Sequence, residues 1–115
     1  MELGHEYIRE SYKRIPAIGL VRFRSAGKSC SGYLVNICHE GLMIKAKEQP
    51  GLGEEVSLTF QLLPFDRVFH LKAVVLWITP RGNGGMLKEI GTRFTDLVTE
   101  DRKYIEKYID SFYAL

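Results

Sequence analysis

The sequence predicts a mainly β protein, a six-stranded antiparallel β-barrel followed by a C-terminal α-helix. Three observations lead there. Short runs that alternate apolar and polar residues recur from Ala17 to Phe94, separated by breaks rich in Gly, Pro and Asx residues. The connections between runs are short, which favours antiparallel neighbours, and six such strands bury their apolar faces best by closing on themselves. At Thr99 the apolar period changes from that of a strand to that of a helix.

Residues 1–8 read as a flexible N-terminal tail, with Tyr7 and Ile8 giving it little to bury, and residues 9–115 as one barrel domain. Pro16 disfavours helix at Ile15, so the preceding arm should enter the fold extended. Ala17 to Ser25 then sets Val21 and Phe23 on one face and Arg22 and Arg24 on the other, and Ser25-Ala26-Gly27-Lys28 reads as a turn. Ser31 to Ile37 places Tyr33, Val35 and Ile37 on one side. After the break at Gly41, Leu42, Ile44 and Ala46 alternate with Met43, Lys45 and Lys47.

A loop with Pro50, Gly51 and Gly53 precedes the cleanest strand, where Val56, Leu58, Phe60 and Leu62 alternate with Glu55, Ser57, Thr59 and Gln61. Beyond the turn at Pro64-Phe65-Asp66, a long strand from Arg67 to Thr79 puts Phe69, Leu71, Ala73, Val75 and Trp77 on one face. Pro80 to Gly85 is a glycine-rich hairpin loop, and Met86 to Phe94 is the last strand. Thr99 is a good N-cap, Glu100 and Asp101 suit the positive end of the helix dipole, and Ile105, Ile109 and Phe112 recur at helical spacing beside Tyr108. Tyr104 and Tyr113 are candidates for an exposed contact on that helix.

At 115 residues, 45% hydrophobic and 26% charged, the chain is ordinary for one soluble domain with its own core. Its longest apolar run, Ala73 to Ile78, suits a buried strand and is far short of a membrane span. The polar N-terminus and two cysteines, Cys30 and Cys38, make a cytoplasmic protein with free thiols the expectation. Net charge is only +2, yet six cations against one acid lie between Arg9 and Lys28, and ten against thirteen in the remainder. That field suits an anionic partner, and equally an exposed, solvated strand edge.

Several chemistries are argued against. Ala26-Gly27-Lys28-Ser29 resembles the tail of a phosphate-binding loop, but Arg22 stands where its first glycine would be and a strand follows where a helix is needed. Gly82-Asn83-Gly84-Gly85 has no helix after it to hold a pyrophosphate. His5, Cys30, Cys38, His39 and His70 lack paired metal-ligand spacing. Cys38 has no partner histidine implied by spacing, and a small buried cysteine is the commoner outcome. No metal, no cofactor and no enzyme activity is expected.

What remains is an anion clamp. Arg9, Lys13 and Arg14 lie along an extended arm, and guanidinium groups pair with phosphates and with guanine edges. The hexapeptide Asn36-Ile37-Cys38-His39-Glu40-Gly41 offers an amide that both donates and accepts, and a glycine that lets a ligand approach the backbone. An ordinary charged arm beside an Asx-type turn is the alternative that these residues leave open.

Arm, strand, Asx-x-small-x-x-Gly turn, Val74-Val75-Leu76-Trp77 and the ending Gly91-Thr92-Arg93-Phe94-Thr95-Asp96-Leu97 resemble, in that order, the PilZ domain from Arg9 to about Phe112. The resemblance implies a bacterial six-stranded barrel with a C-terminal helix. It also implies a receptor for the second messenger cyclic di-GMP that signals to a protein partner in motility or biofilm control. The family signature is an RxxxR arm that grips phosphates and guanines and a [D/N]xSxxG turn that reads a guanine edge. Carried over, it implies Arg9, Lys13, Arg14, Asn36, Cys38 and Gly41 as ligand-binding residues, with Trp77 as a stacking surface. Two positions depart from the signature: with Arg14 as its second arginine, Glu10 falls where the first belongs (read one residue earlier, Arg9 and Lys13 form R-x-x-x-K instead), and Cys38 replaces the serine. A thiol is the weaker hydrogen-bonding group, and a carboxylate repels phosphate, so affinity should be reduced. The alternative is a degenerate PilZ module that binds no nucleotide and serves as a protein adaptor in pilus or flagellar regulation. Neither reading expects binding to DNA or RNA, or membrane insertion.

Overall fold

The computed structural model describes residues 14–80 and 87–113. Within them six strands, β1 (Ile15–Ser25), β2 (Lys28–Ile37), β3 (Leu42–Ala46), β4 (Glu55–Gln61), β5 (Val68–Pro80) and β6 (Lys88–Phe94), precede one helix, α1 (Thr99–Tyr113). Every pairing is antiparallel, and the strands close in the order β1-β2-β3-β6-β5-β4. The expected class is the observed one.

The alternation that predicts the strands also fills the barrel. Val21 and Phe23 of β1, Leu42, Ile44 and Ala46 of β3, and Val56, Leu58 and Phe60 of β4 are buried, as are Phe69, Leu71, Ala73 and Val75 of β5. Phe60 and Phe69 are cross-strand partners whose rings stack with centroids 5.0 Å apart. Burying each such side chain stabilises the fold by about 1.5–3 kcal/mol. Between β1 and β2 the chain reverses through Ala26 and Gly27, both at positive φ (53° and 77°), the two-residue turn whose twist matches a hairpin. A strand follows directly, so the Gly-Lys-Ser tripeptide is hairpin and not phosphate loop.

The helix closes one end of the barrel. Ile105 and Ile109 reach into the core. Asp101, buried in the first helical turn, accepts from Arg67 Nε at 3.1 Å and Nη2 at 2.7 Å. Arg67 lies 4.8 Å from the Tyr104 ring centroid, and Tyr104 meets Phe65 edge-on at 5.5 Å. On the other flank the Tyr108 hydroxyl donates to the Pro16 carbonyl oxygen at 3.1 Å. Burial raises the pKa of that phenol. The helix is thus held both at the start of β1 and just before β5.

Four expectations need correction. Tyr33, Val35 and Ile37 do not share a face: a register shift between Leu34 and Asn36 inserts Val35 as an extra residue, so Cys30, Leu34 and Ile37 point inward and Tyr33 is exposed. Trp77 does not continue the core face of β5, because a second shift between Val75 and Trp77 takes up Leu76 and sends Ile78 toward the core instead. Phe112, placed in the buried helical stripe, is 42% exposed. Tyr104, expected at an exposed contact, is packed between Phe65 and Arg67, while Tyr113 is exposed. The 80–85 loop and the start proposed for the last strand fall largely outside the described residues.

Candidate functional site

The 36–41 turn is built by its backbone and by β6. Cys38 N–H donates to the Gly41 carbonyl at 2.9 Å and closes the bend. The Glu40 carbonyl accepts from Phe94 N–H at 2.8 Å, and Thr92 Oγ1 donates to the Leu42 carbonyl at 2.9 Å. A Cβ on Gly41 would overlap the carbonyl oxygen of Thr92, so this glycine is needed first for the close approach of two backbones.

The bulge in β5 sets the other side. With Leu76 taken up, Trp77 pairs with Gly91 of β6 and lies on the outer wall, half-buried. A Cβ on Gly91 would overlap the indole atoms of Trp77, so the absent side chain is what lets the ring rest against the strand. Arg14, exposed and one residue before β1, holds its guanidinium carbon 5.7 Å from the Trp77 ring centroid, a cation–π contact.

Arg14, Asn36, Cys38, Gly41 and Trp77 therefore line one shallow concavity, although they come from three separate stretches of sequence. Its wall also includes Met43, Gly91 and Thr92. Met43 was not anticipated; an apolar residue at an outward position, where Lys45 and Lys47 follow on the same face, was the available signal. Gly91 and Thr92 belong to the ending at residues 91–97, whose order resembles the family but does not by itself mark a site. Arg9 and Lys13, and with them Glu10, lie outside the described residues. No carboxylate is among the described residues lining the concavity, so Arg14 gives it a positive field. The arrangement combines an aromatic platform, a guanidinium and a carboxamide, which is a set suited to a planar, hydrogen-bonding anion. The second thiol, Cys30, is buried in the core, where burial pushes its pKa up and leaves it inert.

A family model described as PilZ domain matches residues 8–111. No relative is detected among curated protein sequences. Solved structures of similar shape include the inhibitor of motility MotI/DgrA of Bacillus subtilis, with a TM-score of 0.77 and 17% identity over 92% of this chain and 52% of that one. The PilZ domain of YcgR from Escherichia coli, solved with c-di-GMP, has a TM-score of 0.71 and 18% identity over 90% of each chain. MrkH of K. pneumonia in its apo state has a TM-score of 0.71 and 15% identity over 86% of this chain and 49% of that one. The chain thus spans about half the length of MotI/DgrA and of MrkH.

Proposed function

Because this chain belongs to the PilZ domain family, a family of cyclic di-GMP receptors, we propose that it binds cyclic di-GMP in the concavity between Arg14, the 36–41 turn and Trp77. One observation carries the reading: Arg14, Asn36, Cys38 and Gly41, the residues the family signature selects, converge with Trp77 on one wall. In this reading Arg14 contacts a phosphate or a guanine edge, Asn36 reads a guanine edge, and Trp77 stacks on a base. Arg9 and Lys13 add charge from the arm. Cys38 in the serine position and Glu10 in the arm lower the affinity relative to a complete signature. The occupied domain then passes its state to a protein partner.

The test is calorimetric titration of the chain with cyclic di-GMP, beside the same titration of Arg14→Ala. Saturable heat that weakens by about tenfold or more in the variant is expected, the loss of a charge-assisted contact worth at least ~1.4 kcal/mol. Absence of heat at high-micromolar protein would overturn the receptor reading. The departures at Glu10 and Cys38 favour the second reading, an adaptor that binds no nucleotide. It predicts that wild type is silent and that Glu10→Arg with Cys38→Ser creates binding; a double variant that remains silent would show that those two positions are not what prevents it.

A further inference from the structure

The cations of the N-terminal half divide between two walls. Arg14 joins the concavity, on the side of β3, β6 and the end of β5. Arg22 and Arg24 point outward from β1, which with β4 lies across the closed barrel from β3 and β6. Strand register fixes their surroundings. Arg22 sits between Ser31 of β2 and Thr59 of β4, and Thr59 is paired with His70 of β5. Arg24 sits between Ser29 and Ser57, and Ser57 is paired with Lys72. Small hydroxyl residues flank both arginines, so the guanidinium groups lie over a low surface; Arg24 is 3.4 Å from both Ser29 Oγ and the Gly27 carbonyl.

Two residues earlier along β1 the wall turns apolar. Leu20 is paired with Tyr33, and Ile18 precedes it at the register shift in β1. Ile18, Leu20 and Tyr33 are 86%, 67% and 56% exposed, a concentration of outward aliphatic and aromatic surface that solvent does not favour. Successive outward rows on a strand are about 7 Å apart, so Leu20 to Arg24 spans about 14 Å, and Ile18 extends the wall to about 20 Å.

We propose that this wall is a docking surface for an acidic amphipathic helix of a protein partner. Its apolar stripe would cover Ile18, Leu20 and Tyr33, and its carboxylates would meet Arg22, Arg24 and Lys72. Charge complementarity selects this occupant. Among the described residues paired in the two basic rows there is no carboxylate, and at the far end Glu54 accepts from Ser25 and Gly51 and Glu55 accepts from Thr95. A helix about 10–12 Å across, laid over Leu20 and Tyr33, reaches the Arg22 row directly, with its long side chains extending to Ile18 on one side and to the Arg24 row on the other. A bilayer is flat and would touch the curved wall of a small barrel only along a line. A nucleic-acid strand would satisfy the arginines but leave Ile18 and Leu20 uncovered. The surface lies on a different wall from the concavity, so the proposal does not rest on the nucleotide reading.

The experiment is an NMR titration of the uniformly ¹⁵N-labelled full chain with a helical peptide of about 18 residues, leucines at the i, i+3, i+4, i+7 spacing and glutamates elsewhere. A scrambled peptide of the same composition, phosphatidylserine–phosphatidylcholine vesicles and a single-stranded DNA oligonucleotide run alongside. Saturable shifts at Leu20, Arg22, Arg24, Tyr33 and Lys72 are expected with the patterned peptide, weakened about tenfold or more by Leu20→Ser and by Arg22→Glu with Arg24→Glu. These positions are outward, so the core amides of each variant should keep their wild-type shifts. Equal binding of the scrambled peptide, or shifts confined to another wall, would overturn the proposal. So would vesicles, DNA or self-association perturbing these amides while the patterned peptide does not.

Discussion

Beyond the register shift near Ile18, the wall of β1 and β4 follows strand alternation without interruption, and the wall of β3, β6 and the end of β5 breaks it. On the wall of β1 and β4, opposite residues stay in step from Val21↔Phe60 to Arg24↔Ser57, and each outward row can be named from the alternation alone. On the wall of β3, β6 and the end of β5, a bulge at Leu76 turns Trp77 outward, and Gly41 and Gly91 leave room for a backbone and for an indole. Strand β5 belongs to both: regular through Val75, irregular after it. The regular wall can only be a surface, whereas the irregular one has depth. A concavity arises here where the period of two is broken and two side chains are missing.

The sharpest way to break that contrast is to restore side chains to the irregular wall. Gly41→Ala places a methyl group against the Thr92 carbonyl, backbone that cannot move without breaking the turn. A loss of about 3 kcal/mol or more is expected in urea denaturation, the upper range for overpacking. Gly27→Ala is the matched control in the β1–β2 turn: its φ is +77° but nothing lies within 4 Å of an added Cβ. That substitution should cost only about 1–2 kcal/mol, the conformational term alone. Equal losses would mean that close approach is not what Gly41 is for.

Gly91→Ala is next in size. It overfills the space under Trp77 and should cost about 1–3 kcal/mol. Trp77 is the only tryptophan, so its emission should shift to the red as the ring is pushed into water. Unchanged emission with unchanged stability would mean that the indole does not need the gap. Arg14→Ala removes the cation–π contact, worth about 0.5–1 kcal/mol at an exposed site, and should alter Trp77 emission with little effect on the unfolding midpoint. On the regular wall, Arg22→Ser should change stability by no more than about 0.5 kcal/mol.

The same contrast explains what could be read in the sequence. The barrel was legible because most strands keep one apolar face, and β4 shows it without exception. The bulges at Val35 and Leu76 were not, because both residues are themselves apolar. Tyr33-x-Val35-x-Ile37 looks like an unbroken face, and Val74-Val75-Leu76-Trp77 is apolar at every position and so carries no phase. Arg14, Asn36 and Gly41 were legible through their resemblance to a family pattern, although the packing role of Gly41 against Thr92 was not. Met43 became part of the site because β3 pairs with β6 at Met43↔Gly91, a long-range register that no local pattern encodes.

The smallest expected effect tests how the regular wall ends. Glu54 accepts from Gly51 N–H at 2.8 Å and from Ser25 Oγ at 2.7 Å, tying the loop before β4 to the end of β1. The backbone hydrogen bond from Gly51, then that from Ser25, holds its carboxyl below the usual glutamate range. A carboxyl whose folded pKa lies below its unfolded value, about 4.3, adds stability that is present above that pH and is lost as pH falls through the folded pKa. Acid unfolding of the wild type should therefore steepen below about pH 4.3 relative to Glu54→Gln, while the two curves run parallel near neutrality. Because the group is accessible to water the difference should be modest. Parallel curves throughout the acid range would mean that the loop is held by its backbone alone, and that this end of the regular wall needs no charge to stay in place.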